Sequence, residues 1–358
     1  MRLKPVQEQV AVILGAASGI GRETALRLAE RGAKVVVAAR SEPGLKSLVD
    51  EIVARGGQGA YAVCDVADFA QVEAVADTAV RAFGRIDTWV NVAAVSVYAR
   101  FEDTSLEEFR RVLDVTFMGQ VHGAKAALPH LRREGRGALI AISSVEGIVS
   151  LPLHSSYAAS KHAVEGLLDA LRRELMAEGV PISVTSIKPA TINTPFFDNS
   201  RNRMDVKPKG PRPIYQPRIV ADCVLYAAQH PVRDLYAGGA ARLMVMNQML
   251  APRVVDATLA RAGIRWERTD EPAVDGEGAL FAPRADEDRA EGDFSDVARG
   301  FSLYTWLETH PRARRLAVSG AVAGATALLA RRSGGGGRIR SAARRLRDDV
   351  AAQLPARG

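Results

Sequence analysis

Short apolar segments alternate with helical patterns over the first 190 residues. Apolar runs of five to seven residues bounded by turn residues predict strands, whereas apolar positions three and four residues apart predict helices. Strands and helices that alternate in this way form βαβ units and a parallel sheet. The sequence therefore predicts a doubly wound α/β domain. Its predicted strands are residues 10–14, 34–39, 59–63, 86–90, 137–143 and 182–188, and its predicted helices are residues 22–31, 45–55, 67–83, 106–132 and 155–178.

The pattern changes after Pro189. Residues 195–217 combine five prolines with basic residues and with large apolar side chains, which predicts a loop that covers a substrate. A further helix near residues 217–230 and an apolar strand at residues 241–246 complete the domain. We therefore expect a single catalytic domain over residues 1–255, followed by a C-terminal tail.

The tail has three parts of different composition. Residues 256–311 are predicted to be a loosely ordered linker, because residues 267–296 hold 11 acidic residues against three arginines and few apolar ones. Residues 312–332 contain an uncharged run, 316–330, between arginines. This run is slightly shorter than the roughly 17 to 25 residues that span a bilayer, but the flanking arginines favour a membrane anchor. The alternative is that the run docks on the catalytic domain or on a partner subunit. Residues 333–358 form a tail rich in glycine and arginine.

The charge distribution argues against a nucleic-acid-binding body. The chain carries a net +7, but residues 312–358 hold 11 arginines and two aspartates, a net +9, which leaves −2 for residues 1–311. No specific nucleic acid is therefore expected as a partner, although an accessory role for the arginine tail stays an alternative. The two cysteines form no paired motif, so no metal is predicted, and no signal peptide is evident. We expect a cytoplasmic catalytic domain, attached to a membrane if the tail is an anchor.

The first predicted strand runs into a glycine-rich turn and then a helix, as a dinucleotide site of the Rossmann type requires. Gly15 allows the tight turn, Gly19 lets the backbone approach a pyrophosphate, and Gly21 allows close helix packing. Ser18 and Ile20 complete the turn, and the helix dipole favours an anion there. The alternative is a glycine-rich turn without function.

The second predicted strand ends at Arg40, with no acidic residue to accept bonds from the adenosine ribose of NAD. An arginine there can pair with a 2′-phosphate, which favours NADP(H) over NAD(H). The alternative is an ordinary solvated arginine.

A second group of residues predicts acid-base chemistry. Tyr157 and Lys161 lie four residues apart on one helix face, so the ammonium is expected to lower the pKa of the phenol. Ser144 can hold a substrate carbonyl near that phenol. The alternative, a surface pair at helical spacing, loses weight because a dinucleotide turn precedes it.

In these motifs the chain resembles the compact, non-extended subclass of the short-chain dehydrogenase/reductase family over about residues 6–250. The resemblance implies that Ser144 orients a carbonyl, Tyr157 passes a proton and Lys161 also binds the nicotinamide ribose. It implies a homo-oligomer that assembles through the long helices. It also implies further cofactor contacts at the adenine, along the cofactor and at the nicotinamide from Asp65, Val66, Asn91, Ala93, Pro189 and Thr194.

Four positions depart from the family pattern: Leu14, Val92, Ala190 and Thr116. The resemblance places an Asn at position 116, where it supports a water-mediated proton relay beside the lysine. A threonine hydroxyl can hold a water, but it lacks the paired donor and acceptor of an amide. Thr116 is therefore included among the catalytic candidates, and the proton relay beside Lys161 is expected to differ from that of the family.

Several further side chains are candidates for the substrate end. His154 and Glu146 lie close to the motif in sequence, and their alternative interpretation is that of solvated loop residues. Four aromatic residues are predicted either to form an apolar substrate wall or to pack on the domain edge: Tyr98, Phe196, Phe197 and Tyr215.

The sequence as a whole predicts an NADP(H)-dependent oxidoreductase that acts on a carbonyl or a secondary alcohol. A membrane-attached tail would suit a hydrophobic small-molecule substrate. The alternative is a non-catalytic NADP-binding scaffold whose tail binds a membrane or a partner, which the departures at positions 92 and 116 motivate.

Overall fold

The structure, a computed structural model, describes residues 1–273, 277–284, 288–317, 319, 320 and 326. Its strands are β1 (Val10–Leu14), β2 (Lys34–Ala39), β3 (Gln58–Val63), β4 (Thr88–Asn91), β5 (Val97–Tyr98), β6 (Gly137–Ile142), β7 (Ile182–Pro189), β8 (Arg201–Asn202), β9 (Val206–Pro208), β10 (Asp234–Ala237) and β11 (Arg268–Pro272). Its helices are α1 (Gly19–Glu30), α2 (Glu42–Ala54), α3 (Phe69–Phe83), α4 (Leu106–Leu113), α5 (Gly119–Arg133), α6 (Ser155–Ala177), α7 (Phe196–Asn199), α8 (Arg218–Ala227), α9 (Gly239–Leu250), α10 (Pro252–Trp266) and α11 (Leu303–Thr309).

Seven strands form one parallel sheet in the order β10-β7-β6-β4-β1-β2-β3. The chain order reverses at β1, which pairs with β2 on one side and with β4 on the other. A crevice opens at such a reversal outside the carboxyl ends of the strands, where this class of sheet binds ligands. The doubly wound fold predicted from the sequence is thus confirmed.

Both faces of the sheet are covered by helices, which explains why β1, β2 and β6 are almost continuously apolar. Alternate residues of β1 enter different cores: Ala11 and Ile13 pack with α1, α2 and α8, whereas Val12 and Leu14 pack with α3, α5 and α6. A third, small cluster joins the turn after β6 to α9 through Val145, Val149, Ala241 and Val245. The two large cores hold the sheet between helix layers and so fix the positions of the strand ends.

Two predicted elements differ from the structure. Residues 241–246 belong to helix α9, and the edge strand is β10 instead. Ala241 and Val245 are buried four residues apart while Leu243 and Met246 are exposed, which is the helical period that a short apolar run does not reveal. The predicted helix 106–132 is divided into α4 and α5 by a π turn, Asp114–Met118.

The predicted loose linker also differs from the structure, because its described residues are folded. Helix α10 continues into β11, which pairs antiparallel with β9, and the compact unit extends from Met1 to Thr305, past the boundary expected at residue 255. Leu280, in the middle of the supposed linker, is fully buried in the core with α3 and α6. The acidic composition concealed this packing because the buried Leu280 stands next to the exposed Phe281 and gives no periodic pattern.

The second unit, Trp306–Gly358, is described only in part. In this unit the indole ring of Trp306 stacks on the imidazole ring of His310, with 4.7 Å between the ring centres. The guanidinium of Arg314 forms an ion pair with the carboxylate of Glu308 at 3.1 Å. Most of the predicted anchor run 316–330, and all of residues 333–358, lie outside the described residues. Among the residues that are described, no helix is long and apolar enough to cross a membrane.

We predict that Leu280→Ala destabilises the domain by about 2 to 4 kcal/mol, because it removes a fully buried side chain and leaves a cavity. The measurement is urea unfolding followed by circular dichroism. Leu250→Ala is the matched control, since Leu250 is 79% exposed and should change stability by less than about 0.5 kcal/mol. Equal, small effects of both substitutions would show that the segment around residue 280 is loosely held.

Candidate active site

The turn between β1 and α1 brings backbone groups unusually close together. Gly15 has a φ of +83°, and a Cβ there would lie 2.6 Å from the backbone nitrogen of Ala93. A Cβ on Gly21 would lie 2.0 Å from the carbonyl oxygen of Gly15. Glycine is therefore required at both positions. Ser18 at the start of α1 makes no capping hydrogen bond with its side chain, and the amide of Gly19 donates to the carbonyl of Arg289 at 2.8 Å. The dipole of α1 favours an anion at this end of the helix.

A single cavity extends from this turn along the carboxyl ends of the strands. Most of the predicted site residues line it: Gly15, Ser18, Gly19, Ile20, Arg40, Asp65, Val66, Ala93, Ser144, Tyr157, Lys161, Pro189 and Thr194. An elongated cleft that begins at a glycine turn and a helix N-terminus fits a dinucleotide, and the residues present are suited to hold one.

Arg40 lies at one end of this cavity, but its guanidinium already has partners. Its two terminal nitrogens donate to the carbonyl oxygens of Ala279 and Leu280. Arg111 donates to the Leu280 carbonyl at 3.1 Å and forms an ion pair with Asp65 at 2.5 Å. Burial, aided by the charge of Arg111, lowers the pKa of Arg40. Arg40 is thus neither solvated nor isolated, and residues far along the chain complete its surroundings.

The acid-base residues meet at the other end, where α6 crosses the end of β6. The ammonium of Lys161 donates to the carbonyl oxygen of Ile142 at 2.8 Å and lies 5.5 Å from the ring centre of Tyr157. The hydroxyl of Ser144 accepts a bond from the amide of Glu146 at 3.0 Å, which orients it. All three predicted side chains are at most 8% exposed and line the same cavity.

Burial is the largest cause of the shifted pKa values of Tyr157 and Lys161. It raises the pKa of Tyr157 well above its usual value; Glu146 acts in the same direction, and the hydroxyl of Ser144 opposes both. Burial lowers the pKa of Lys161 to about 8, although Glu165 and Glu146 oppose it. The expectation that Lys161 lowers the pKa of the phenol is wrong for this arrangement, because the ammonium faces the ring and the Ile142 carbonyl.

Three predicted positions lie outside the cavity lining. Gly21 acts in packing, as expected. The Asn91 side chain accepts a bond from the indole of Trp89 at 2.9 Å and faces Gly123 of α5. The hydroxyl of Thr116 bonds both the amide and the carbonyl of Val95 at 3.0 Å. These two bonds use the donor and one of the two acceptor positions of the hydroxyl, and the water relay through Thr116 stays a prediction.

A buried ionisable cluster, Glu146, His154 and Glu267, lies beside the cavity. The imidazole of His154 is 2.9 Å from a carboxylate oxygen of Glu146 and 3.5 Å from one of Glu267. All three residues are at most 5% exposed, so His154 and Glu146 are not solvated loop residues. Glu267 was not predicted, because it stands 113 positions beyond His154 in an acidic stretch that gave no signal of burial.

The protonation of this cluster follows from burial and charge. Burial opposes the charged form of His154, but the charges of Glu146 and Glu267 outweigh it and raise the pKa to about 9. Burial raises the pKa of Glu267 to about 8. The imidazole of His154 and the carboxyl group of Glu267 therefore titrate as a coupled pair, and the pKa of each is raised above its ordinary value.

Three of the four predicted aromatic residues form one side of the cavity. The rings of Phe196 and Tyr157 lie 5.5 Å apart, and those of Phe196 and Phe197 lie 6.0 Å apart. Tyr98 packs its ring against the edge of His154 at 4.3 Å. Tyr215 instead is buried in the core beside Gly238. The substrate end of the cavity is thus aromatic and closed by the ionisable cluster.

We predict that stability falls with rising pH through the titration of this cluster, and that Glu267→Gln reduces the fall. A carboxyl group whose pKa is raised in the folded state stabilises that state fully below its unfolded pKa of about 4.5, and this contribution is lost as pH rises through about 8. Melting temperatures from pH 4.5 to 9 test this. The melting temperature of Glu267→Gln minus that of the unchanged protein should increase from pH 4.5 to pH 9.

Glu102→Gln is the control for that experiment, since Glu102 is exposed. Its melting temperature should follow the unchanged protein at every pH. A constant offset between Glu267→Gln and the unchanged protein over the whole window would contradict the burial of an ionisable carboxyl group at this position.

Comparisons with known proteins agree with this geometry. A family model described as short chain dehydrogenase matches residues 9–205. The chain is 37% identical over 329 residues to the uncharacterized oxidoreductase YxnA of Bacillus subtilis, a match that covers 91% of this chain and 92% of that protein. It is 32% identical over 266 residues to dehydrogenase/reductase SDR family member 7B of Xenopus tropicalis, covering 71% and 85% of the two chains.

Two solved structures are also similar. An alcohol dehydrogenase from the archaeon Thermococcus sibiricus, complexed with 5-hydroxy-NADP, is 26% identical with a TM-score of 0.55, covering 64% of this chain and 95% of that one. A 7α-hydroxysteroid dehydrogenase complexed with NADH and 7-oxo glycochenodeoxycholic acid is 26% identical with a TM-score of 0.56, covering 65% and 93%. Nicotinamide cofactors of both kinds thus occur among similar structures.

Proposed function

The chain belongs to the short chain dehydrogenase family of oxidoreductases, and from that membership we propose that it transfers a hydride between NADP(H) and a carbonyl or secondary alcohol of a hydrophobic substrate. The observation that carries the proposal is the arrangement of Ser144, Tyr157 and Lys161 in the same cavity as the glycine turn. A nicotinamide would supply or accept the hydride when bound.

The proposed chemistry of the chain itself is proton transfer and orientation. In the direction of reduction, the hydroxyl of Ser144 holds the substrate oxygen, and the phenol of Tyr157 donates its proton to that oxygen as the carbon gains hydride. A raised phenol pKa keeps this proton in place until the oxygen becomes basic. Lys161 keeps its position through its bond to the carbonyl of Ile142, from which it would bind the nicotinamide ribose.

The preference for NADP(H) rests on Arg40. Each of its terminal nitrogens has one bond to a backbone carbonyl, and a guanidinium has five N–H groups, so donors remain for a 2′-phosphate. The second strand ends without an acidic residue to bind a ribose hydroxyl.

The proposal of a hydrophobic substrate rests on the aromatic wall. Tyr98, Phe196 and Phe197 line the substrate end, and His154 faces two carboxyl groups with its ring nitrogens. Such surroundings disfavour a substrate with a carboxylate or phosphate at this end. Assembly into a homo-oligomer and membrane attachment through the tail stay predictions.

We predict that Tyr157→Phe lowers turnover of NADPH with a responsive carbonyl compound by at least about 100-fold, because it removes the proton donor. Cofactor affinity, measured by NADPH fluorescence, should change little. The assay is loss of NADPH absorbance across a panel of ketones and aldehydes. Tyr226→Phe is the control, since Tyr226 of α8 stacks on His230 and is not among the residues that line the cavity.

The scaffold alternative gives a different outcome in the same assay. A non-catalytic scaffold binds NADPH but shows no carbonyl-dependent oxidation across a broad panel, and Tyr157→Phe then changes nothing. Turnover that survives Tyr157→Phe would reject Tyr157 as the proton donor.

We predict that Arg40→Ala raises the KM for NADPH about tenfold or more while the KM for NADH rises less, because a charge-assisted bond to the 2′-phosphate is lost. The readout is the ratio of kcat/KM for the two cofactors. Arg31→Ala, at an exposed position, should leave the ratio unchanged. A clear preference of the unchanged enzyme for NADH would overturn the NADP(H) assignment.

A further inference from the structure

The residues that carry the two site hydroxyl groups, Ser144 and Tyr157, stand 13 positions apart in the chain. Ser144 precedes a short helical turn, Val145–Gly147, and the loop that follows ends at His154, just before α6 begins. One hydroxyl group therefore belongs to the end of β6 and the other to the helix. The distance between them depends on how the connecting turn and loop are held.

Glu146 holds the turn and the loop together. Its amide donates to the hydroxyl of Ser144 at 3.0 Å. Its carboxylate accepts one bond from the amide of Leu151 at 3.4 Å and another from Nδ1 of His154 at 2.9 Å. A carboxylate accepts hydrogen bonds, so Nδ1 is the donor in the shorter contact. Glu146 thus contacts the Ser144 hydroxyl through its backbone and the residue before α6 through its side chain.

His154 is attached to the first turn of α6. Its carbonyl oxygen accepts a bond from the amide of Ala158 at 2.8 Å, which ties the residue to the turn that carries Tyr157. Its imidazole is nearly perpendicular to the rings of Tyr157 and Tyr98, with 6.1 Å and 4.3 Å between the ring centres. Among the described residues, the bond to Glu146 is the one hydrogen bond of this imidazole, because Nε2 has no partner. The orientation of the imidazole therefore depends on that bond.

The backbone just before His154 adopts an unfavourable conformation. Leu153 has a φ of +67°, and it is the one residue other than glycine with a positive φ in the part of the chain that the structure describes. A leucine in this region brings its Cβ too close to the following carbonyl oxygen. Such a conformation persists only where the surroundings fix it. Here the carbonyl of Leu153 accepts a bond from the amide of Ala99 at 3.2 Å, which holds the chain in the shape that lets His154 reach Glu146.

We propose that Glu146 and His154 are positioning residues of the active site: their hydrogen bond fixes the separation of the Ser144 hydroxyl and the Tyr157 phenol, so that both reach one substrate oxygen. The inference rests on the proposed function, because it needs a carbonyl or alcohol held by these two hydroxyl groups. Neither positioning residue exchanges a proton with the substrate. Since a misplacement of about 1 Å can lower turnover about 100-fold, the loss of one such bond has a measurable effect.

Two substitutions at position 154 test the bond. His154→Leu removes the donor to Glu146 and should lower kcat about 10- to 100-fold, measured with the ketone or aldehyde of the panel that oxidises NADPH fastest. His154→Asn places an amide donor near the position of Nδ1 and should restore kcat to within about threefold of the unchanged enzyme. The Kd for NADPH, measured by fluorescence, should change little in both variants, because the glycine turn and Arg40 are unaltered.

His162→Leu is the matched control, since His162 is exposed on the same helix and is not among the residues that line the cavity. It should leave kcat unchanged. If His154→Asn is as slow as His154→Leu, the lost bond is not the cause and the proposal is overturned. A raised KM for the carbonyl compound with an unchanged kcat in His154→Leu would also overturn it, since His154 would then bind substrate directly.

A double variant tests whether the two residues act as a pair. Glu146→Ala breaks the same bond from the other side, so Glu146→Ala and His154→Leu together should lower kcat no more than the slower single variant does. Effects that multiply would assign two independent roles and overturn the proposal. If melting temperatures show that His154→Leu is unfolded, His154→Gln takes its place, because its amide lies one methylene farther from the position of Nδ1 and should not restore kcat.

The failures of the two proposals are distinguishable. If the unchanged full chain oxidises neither NADPH nor NADH with any compound of the panel, the proposed function fails. If the unchanged chain is active and the folded His154→Leu variant retains the full kcat, the positioning role fails and the proposed function stands.

Discussion

The bond from the ammonium of Lys161 to the carbonyl of Ile142 joins the catalytic helix to the sheet. Lys161 is 1% exposed, and a buried ammonium is costly unless an acceptor is held in place for it. The last residue of β6 offers that acceptor only because a parallel sheet ends its strands at one edge, beside the start of α6. Tyr157, one turn earlier on the helix, is thereby placed over the same edge. The position of the phenol is thus a consequence of sheet topology.

Residues outside the family match complete this edge. Glu267 closes the substrate end from behind His154, and Leu280 closes the opposite end beside Arg40 and Arg111. The carbonyl of Leu280 satisfies two buried guanidinium groups, whereas among the described residues Nε2 of His154 and both carboxyl oxygens of Glu267 have no hydrogen-bond partner. The C-terminal part of the compact unit is accordingly required to bury the cavity, although it contributes none of the acid-base residues.

The sequence predicted what local chemistry determines, namely the glycine turn, the helical pair Tyr157 and Lys161, and the alternating strands. It did not predict contacts between distant positions, since no periodicity connects Arg40 with Ala279, which lie 239 residues apart. The bonds of Thr116 to Val95 were not predicted for a similar reason, because the two residues are adjacent only in the folded chain. The strand expected at 241–246 failed because a short apolar run does not show its period.

The two ends of the cavity are connected through one short stretch of chain. Strand β11 follows Glu267 directly and pairs with β9, while the amide of Lys209 donates to the carbonyl of Glu267 at 3.0 Å. Farther along the chain, the carbonyl oxygens of Ala279 and Leu280 accept bonds from Arg40 at the other end of the cavity. Because β9 lies in the proline-rich stretch that was expected to cover the substrate, β11 ties that stretch to the part of the chain that completes both ends of the cavity.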